Sequence, residues 1–371
     1  MNRRRYLRVL LPVLGVLAAI GLVLGVLTAP SATATGGGGG GGAASKPGHV
    51  FLINLENKGF DETWGPGSAA PFLSTTLRRQ GVLFSQYYGT GHESLDNYLA
   101  QVSGQGPDAA TQSDCQVYAP FLGAGTVAPG QAVGQGCVYP SSVPTLAGQL
   151  TASGHTWRGY MEDMGTPCRH PALGAPDDTQ RAKVGDQYAA RHNPFVYFAS
   201  ITGSPDCARN DVDLRALPTD LRTVATTPNL SYITPNLCDD GHDAPCVDGR
   251  PGGLTSADLW LRTWVPRIQA SPAYRQDGII VITFDESDGP DSDSTACCGE
   301  GPGPNSPRPG ITGPGGGRIG ALVLSPFAPK NATVATPANH YSLLAALEDG
   351  FGVPRLGYAT QAPSLPLPHR S

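Results

Sequence analysis

Gly278-Ile279-Ile280-Val281-Ile282-Thr283-Phe284-Asp285-Glu286 is an apolar run of strand length that stops at two acids. Apolar residues at consecutive positions describe a strand covered on both faces, as in a parallel sheet between helices. Val50-Phe51-Leu52-Ile53-Asn54-Leu55 repeats the pattern and stops at Glu56-Asn57. Val82 to Tyr88, Thr156 to Met161, Leu230 to Thr234 and Ile319 to Leu324 read as further strands. Pro71 to Arg79, Thr145 to Ala152, Thr255 to Ala270 and His340 to Phe351 have helical spacing. The alternation predicts an α/β fold, a three-layer αβα sandwich around a central, mostly parallel sheet.

In such a sheet, ligands gather beyond the C-terminal ends of the strands. Four polar clusters are expected there: Glu56-Asn57, the turn into Ser94, Asp240 to Asp243, and Asp285-Glu286. Carboxylate and amide oxygens converging on one rim suit a hard divalent cation. Any single acidic pair is more often a solvated loop, so the weight lies in four clusters at four such positions.

His92-Glu93-Ser94-Leu95-Asp96-Asn97-Tyr98 runs into the apolar Leu99, Ala100 and Val102. As a loop entering a helix, it sets Ser94 at the helix N-terminus, where free N–H groups and the macrodipole favour an anion. A serine there is ordinarily an N-cap; beside a cation it is also a nucleophile for phosphorus. His192 and His242 lie in loops and titrate in the range that serves phosphate binding or leaving-group protonation. His340 heads a helix and reads equally as a cap.

The 371 residues are only 15% charged, with 49 Gly and 35 Pro, a loop-rich globular composition. A net charge of −5 without a basic stripe argues against nucleic acid as a partner. Arg3, Arg4, Arg5 and Arg8 precede an apolar run from Val9 to Leu27 and the small-x-small site Ala32-Thr33-Ala34. Residues 1–34 therefore read as an export signal of the Sec or twin-arginine type, or as a retained membrane anchor, and the protein as secreted or cell-surface. Residues 35–48, with glycine from Gly36 to Gly42, read as a flexible linker, 49–363 as the catalytic domain, and 364–371 as a tail.

Eight cysteines in an exported chain suggest disulfides, and no Cys-x-x-Cys pair points to structural zinc. Nearest-neighbour pairing joins Cys115 to Cys137, Cys168 to Cys207 and Cys238 to Cys246. The adjacent Cys297-Cys298 leaves a vicinal bridge and cross-pairing both open.

Ordered motifs from His49 to Pro363 resemble the bacterial phosphoesterase family of secreted acid phosphatases and phospholipases C, within the alkaline phosphatase superfamily. They are His49-Val50 through Glu56-Asn57-Lys58-Gly59-Phe60, and His92-x-Ser94-x-x-Asn97-Tyr98-Leu99-Ala100 with Ser103-Gly104. His192-Asn193-Pro194-Phe195 and Ile233-Thr234-Pro235-Asn236 with His242-Asp243 follow. Val281 to Glu286, Asn339 to Leu344, and Gly357-Tyr358-Ala359-Thr360 complete the set. The resemblance implies an alkaline phosphatase-like fold and one divalent metal ion held by Glu56, Asn57, Asp285 and Glu286, with Ser94 as the metal-bound nucleophile. It further implies that His192 and His242 contact the phosphoryl group and that Asn97 hydrogen-bonds a non-bridging oxygen. The implied partner is a phosphorylated small molecule or a phospholipid headgroup, including phosphatidylinositol 3-phosphate. The implied activity is hydrolysis of phosphate monoesters. A phospholipase C-type diesterase and a non-catalytic binding domain are the alternatives. Glu93 and Asp96 stand where the family often has proline, and Lys58-Gly59 where Arg-Ser is commoner, which bears on substrate preference.

Overall fold

The computed structural model describes residues 48–298 and 300–368. The leader, nearly all of the glycine linker and the last three residues of the tail lie outside them. Among the described residues, no helix is long and apolar enough to cross a membrane.

Eight strands form the central sheet: β1 His49–Leu55, β2 Val82–Phe84, β3 Trp157–Met161, β4 Asp211–Asp213, β5 Leu230–Thr234, β6 Gly278–Phe284, β7 Ala321–Leu324 and β8 Ala332–Val334. Their order across the sheet is β8-β2-β7-β6-β1-β5-β3-β4. β1 pairs in parallel with both β5 and β6, so the two strongest apolar runs lie side by side at the centre. All residues of both are buried, as their unbroken hydrophobic sequence requires. β7 alone runs against the rest, pairing antiparallel with β6 and β2.

The expected strand Val82 to Tyr88 divides in two. After β2, the chain turns at Ser85-Gln86, and Tyr87–Tyr88 leaves the main sheet to pair with Ala338–Asn339. The expected helix Pro71 to Arg79 is a wide turn over Phe72–Leu77 followed by a tight one over Arg78–Gln80.

Helices α1 Ser94–Ser103, α2 Leu146–Ala152 and α4 His340–Phe351 pack on one another, while α3 Gly253–Ala270 packs with the Phe72–Leu77 turn and the short helix Pro272–Asp277. These two groups cover the sheet and complete the three layers of an α/β sandwich. α1 is bolted to the sheet centre by Gln101, whose Nε2 donates to Asn54 Oδ1 (3.0 Å) and whose Oε1 accepts from the Tyr232 hydroxyl (2.9 Å). It ends at Gly104, which takes φ 67° and lies so close to Leu356 that a Cβ would meet that carbonyl oxygen at 2.4 Å. Asn339, rather than His340, caps α4, its Oδ1 accepting from Ser342 N–H (3.0 Å).

The three nearest-neighbour disulfides are present, and Cys297–Cys298 closes a vicinal bridge.

Candidate active site

Backbone pairing at the sheet's C-terminal edge joins three of the expected clusters. Glu56 N–H donates to Asp240 carbonyl oxygen (2.9 Å), and Asp285 N–H donates to Leu55 (2.9 Å). Asn57 then takes a left-handed φ of 42°, and its N–H donates to Asp285 Oδ1 (2.9 Å). The turn into α1 completes the rim. Glu93 holds the N-cap position with φ 72° and ψ 148°, a conformation costing a non-glycine residue about 1–3 kcal/mol. Ser94 is thus the first helical residue and not the cap. Its Oγ donates to Glu56 Oε2 at 2.8 Å.

That strained turn is clamped by Asn97. Its Oδ1 accepts from Thr90 N–H (2.8 Å), Thr90 Oγ1 (3.1 Å) and Gly91 N–H (3.0 Å), and its Nδ2 donates to the carbonyls of Gly91 (2.9 Å) and Glu93 (3.1 Å). Both amide hydrogens are therefore used. Asn97 thus holds the turn, and the expected contact to a phosphoryl oxygen would require one of these bonds to open.

Around Ser94 lies a set of buried polar atoms without hydrogen-bond partners: Glu56 Oε1, Asn57 Oδ1, Asp240 Oδ2, Asp285 Oδ2 and both ring nitrogens of His192. His192 Nε2 is 3.4 Å from Glu56 Oε1, and its Nδ1 is 3.5 Å from Asp240 Oδ2. Burial raises the pKa of Glu56 well above the carboxylate range, helped by repulsion from Asp285 and Asp240. Burial likewise pushes Asp240 up to about 8 and Asp285 up to about 7. Burial, with the positive charges of Arg191 and His242, lowers His192 and keeps it neutral. Carboxylates with spare lone pairs, an amide oxygen and a neutral imidazole are the donor types a divalent cation takes, although no three of Glu56, Asp240, Asp285 and His192 bring their ligand atoms within 4.8 Å of one another.

Glu286, also expected as a ligand, has its Oε1 accepting from Asn57 Nδ2 (3.2 Å) and its Oε2 paired with His92 Nδ1. The groups of His, Cys, Asp and Glu whose ligand atoms do lie within 4.8 Å of one another among the described residues, Cys238-Cys246-Asp248 and Cys297-Cys298-Glu300, contain disulfide sulfurs that offer no thiolate.

His242 stands at the rim, its side chain 43% exposed, with Nδ1 2.8 Å from Asp243 Oδ1. His340 is fully buried behind Asp285, its Nε2 2.5 Å from that residue's carbonyl oxygen. Three residues that sequence reasoning did not single out also shape the site. Asp240 supplies a carboxylate, Tyr98 stacks on His192, and Arg191 sits beside Asp114 with its charge felt at Glu56 and Asp240. Asp240 was signalled only as one acid of a strand-end cluster. Arg191 and Tyr98 were signalled only by adjacency to His192 and by helical spacing from Ser94.

The fold is thus an α/β sandwich that presents a helix-N-terminal serine to buried carboxylates at the C-terminal edge of its sheet. The chain belongs to the phosphoesterase family, whose model matches residues 66–354, and it is a hydrolase of phosphoric esters. A phosphatidylinositol-3-phosphatase of Mycobacterium tuberculosis is 26% identical over 85% of this chain and 81% of its own. A phosphate-repressible acid phosphatase of Penicillium chrysogenum is 26% identical over 82% of this chain, which spans 59% of that longer protein. Among solved structures, the lipoteichoic acid synthase of Listeria monocytogenes shares the fold, with TM-score 0.50 and 10% identity over 86% of this chain and 77% of its own.

Proposed function

We propose that the chain is a metal-dependent phosphomonoesterase in which Ser94 is the nucleophile. The observation that carries this reading is the Ser94 hydroxyl donating to Glu56 Oε2 amid buried oxygens that have no partner of their own. Glu56, Asn57, Asp240 and Asp285 would hold the divalent cation. When bound, it supplies positive charge that offsets the phosphoryl oxygens and favours the ionised serine.

The protein's own groups do the rest. Ser94 Oγ attacks phosphorus while its proton passes to Glu56 Oε2, already the acceptor of its hydrogen bond. The phosphorus–oxygen bond to the alcohol breaks, and the alcohol leaves with a proton from the rim, where His242 is the exposed acid. Water then cleaves the phosphoserine and restores the hydroxyl. The names of the mycobacterial and fungal relatives support a monoester substrate, with phosphatidylinositol 3-phosphate as one candidate. The basic, apolar leader and the four disulfides support export.

The test is hydrolysis of para-nitrophenyl phosphate by purified protein and by Ser94→Ala, with folding followed by circular dichroism. The variant should lose activity by about a thousandfold or more. A folded variant with wild-type turnover would overturn the assignment.

A further inference from the structure

An open cleft of about 560 Å³ lies beside the catalytic rim, between the loop that carries Arg181 and Arg191 and the loop that carries His242 to Val247. Its volume suits a ligand of sugar-phosphate size. Two of its residues tie it to the catalytic centre. Arg191 directly precedes His192 in one tight turn, and His242 lies two residues beyond Asp240, to whose Oδ1 its N–H donates at 2.9 Å.

The charge in this cleft is uneven. Lys183, Arg169 and Arg250 on the neighbouring loops are each paired with an aspartate, at 3.6, 2.8 and 2.7 Å. Arg191 leans on Asp114, 3.3 Å from its Nε. Arg181 is exposed and has no ion-pair partner among the described residues. Asp243, the acid of the lining, is taken up by His242 Nδ1. The opposite wall, with Pro245 and Val247, is apolar.

We propose that this cleft is a subsite for a second phosphate on the alcohol portion of the substrate. Arg181 then makes the direct contact, and Arg191, which directly precedes His192, carries positive charge from the cleft towards the phosphoryl position. The apolar wall takes the carbon skeleton between the two phosphates. Preferred substrates are accordingly phosphomonoesters that carry another phosphate, as monoester or as diester. This rests on the phosphomonoesterase reading and deepens it. A guanidinium without a partner among the described residues, at the mouth of a cleft joined to the catalytic rim, is placed to bind an oxyanion in bidentate fashion.

The experiment compares kcat/KM for matched substrates. Glucose 6-phosphate is set against glucose 1,6-bisphosphate, and inositol 3-phosphate against a short-chain phosphatidylinositol 3-phosphate below its micellar concentration. The first pair adds a monoester and the second a diester. Wild-type protein should favour the doubly phosphorylated partner of at least one pair by about tenfold, mainly through KM. Arg181→Gln should bring that ratio close to one. Arg222→Gln, on the loop entering β5 at the far edge of the sheet, should keep it. A wild-type ratio near one in both pairs would overturn the subsite, as would a ratio untouched by Arg181→Gln. Absence of any hydrolysis, para-nitrophenyl phosphate included, would instead count against the phosphomonoesterase reading itself.

Discussion

The His192 imidazole lies face to face on the Tyr98 ring, with centroids 5.3 Å apart and planes 3° from parallel. Tyr98 follows Ser94 by four residues on α1, so one helix supplies the attacking hydroxyl and the platform for the imidazole. Tyr98→Leu keeps the volume apolar but removes the flat face. We expect kcat/KM to fall about tenfold and stability by about 1–3 kcal/mol. Kinetics with para-nitrophenyl phosphate and urea denaturation check this, and unchanged kinetics would show that the stack does not orient His192.

Asn97 offers a sharper separation of roles. Replacement by Ala removes five hydrogen bonds and strands the Thr90 and Gly91 N–H groups in a buried turn. The expected loss is about 2–4 kcal/mol of stability, with kcat reduced because Ser94 is no longer held. Inhibition by inorganic phosphate should move little. A variant of wild-type stability with much weaker phosphate inhibition would restore Asn97 to direct phosphoryl contact.

His242 predicts an acidic bias in the pH profile. The hydrogen bond its ring N–H donates to Asp243 raises its pKa above the ordinary histidine value, with the charges of Asp240 and Asp243 adding to it. The imidazolium persists to higher pH than usual, and its loss removes positive charge from the cleft. KM for a phosphate ester should therefore climb on the alkaline side. His242→Asn should flatten that limb in a profile between about pH 5 and pH 9. Superimposable profiles would remove His242 from substrate binding.

What the sequence made legible follows from what hydrophobic pattern encodes. β1 and β6 are unbroken apolar runs because both their faces are covered, so their centrality could be read directly. Strand direction leaves no such trace, and the antiparallel β7 looks like its neighbours. The break between Phe84 and Tyr87 falls inside a run whose flanks are all strand-forming, so one strand was expected where two exist. At the site, composition brought the right segments to one rim, but side-chain commitments depend on partners far away in the chain. Asp239 and Asp240 are adjacent, yet the first goes out to Arg250 and the second turns in towards His192. Glu286 likewise looks like Asp285 in sequence, yet its oxygens meet His92 and Asn57 while Asp285 meets the Asn57 N–H.

The buried carboxylates make a prediction that needs no substrate. Asp240 and Asp285 have pKa values raised from 3.8 to about 8 and about 7. A carboxyl group whose folded value exceeds its unfolded one binds protons more tightly in the native state, so its ionisation works against folding. That penalty is absent below about pH 4, grows through the window up to about pH 8, and is complete above it. The metal-free protein should accordingly lose stability as the pH rises through this window. A divalent cation among Glu56, Asn57, Asp240 and Asp285 replaces the protons and cancels the repulsion. Its stabilisation should be small near pH 4 and large near pH 8, because at low pH protons already hold the sites. Thermal unfolding of chelator-treated protein, with and without manganese, calcium or zinc at each pH, measures both slopes. Asp285→Asn should weaken the metal-induced rise and lessen the decline of the metal-free protein. Equal melting temperatures with and without every cation at pH 8 would show that these oxygens do not bind a metal, and that water or retained protons satisfy them instead.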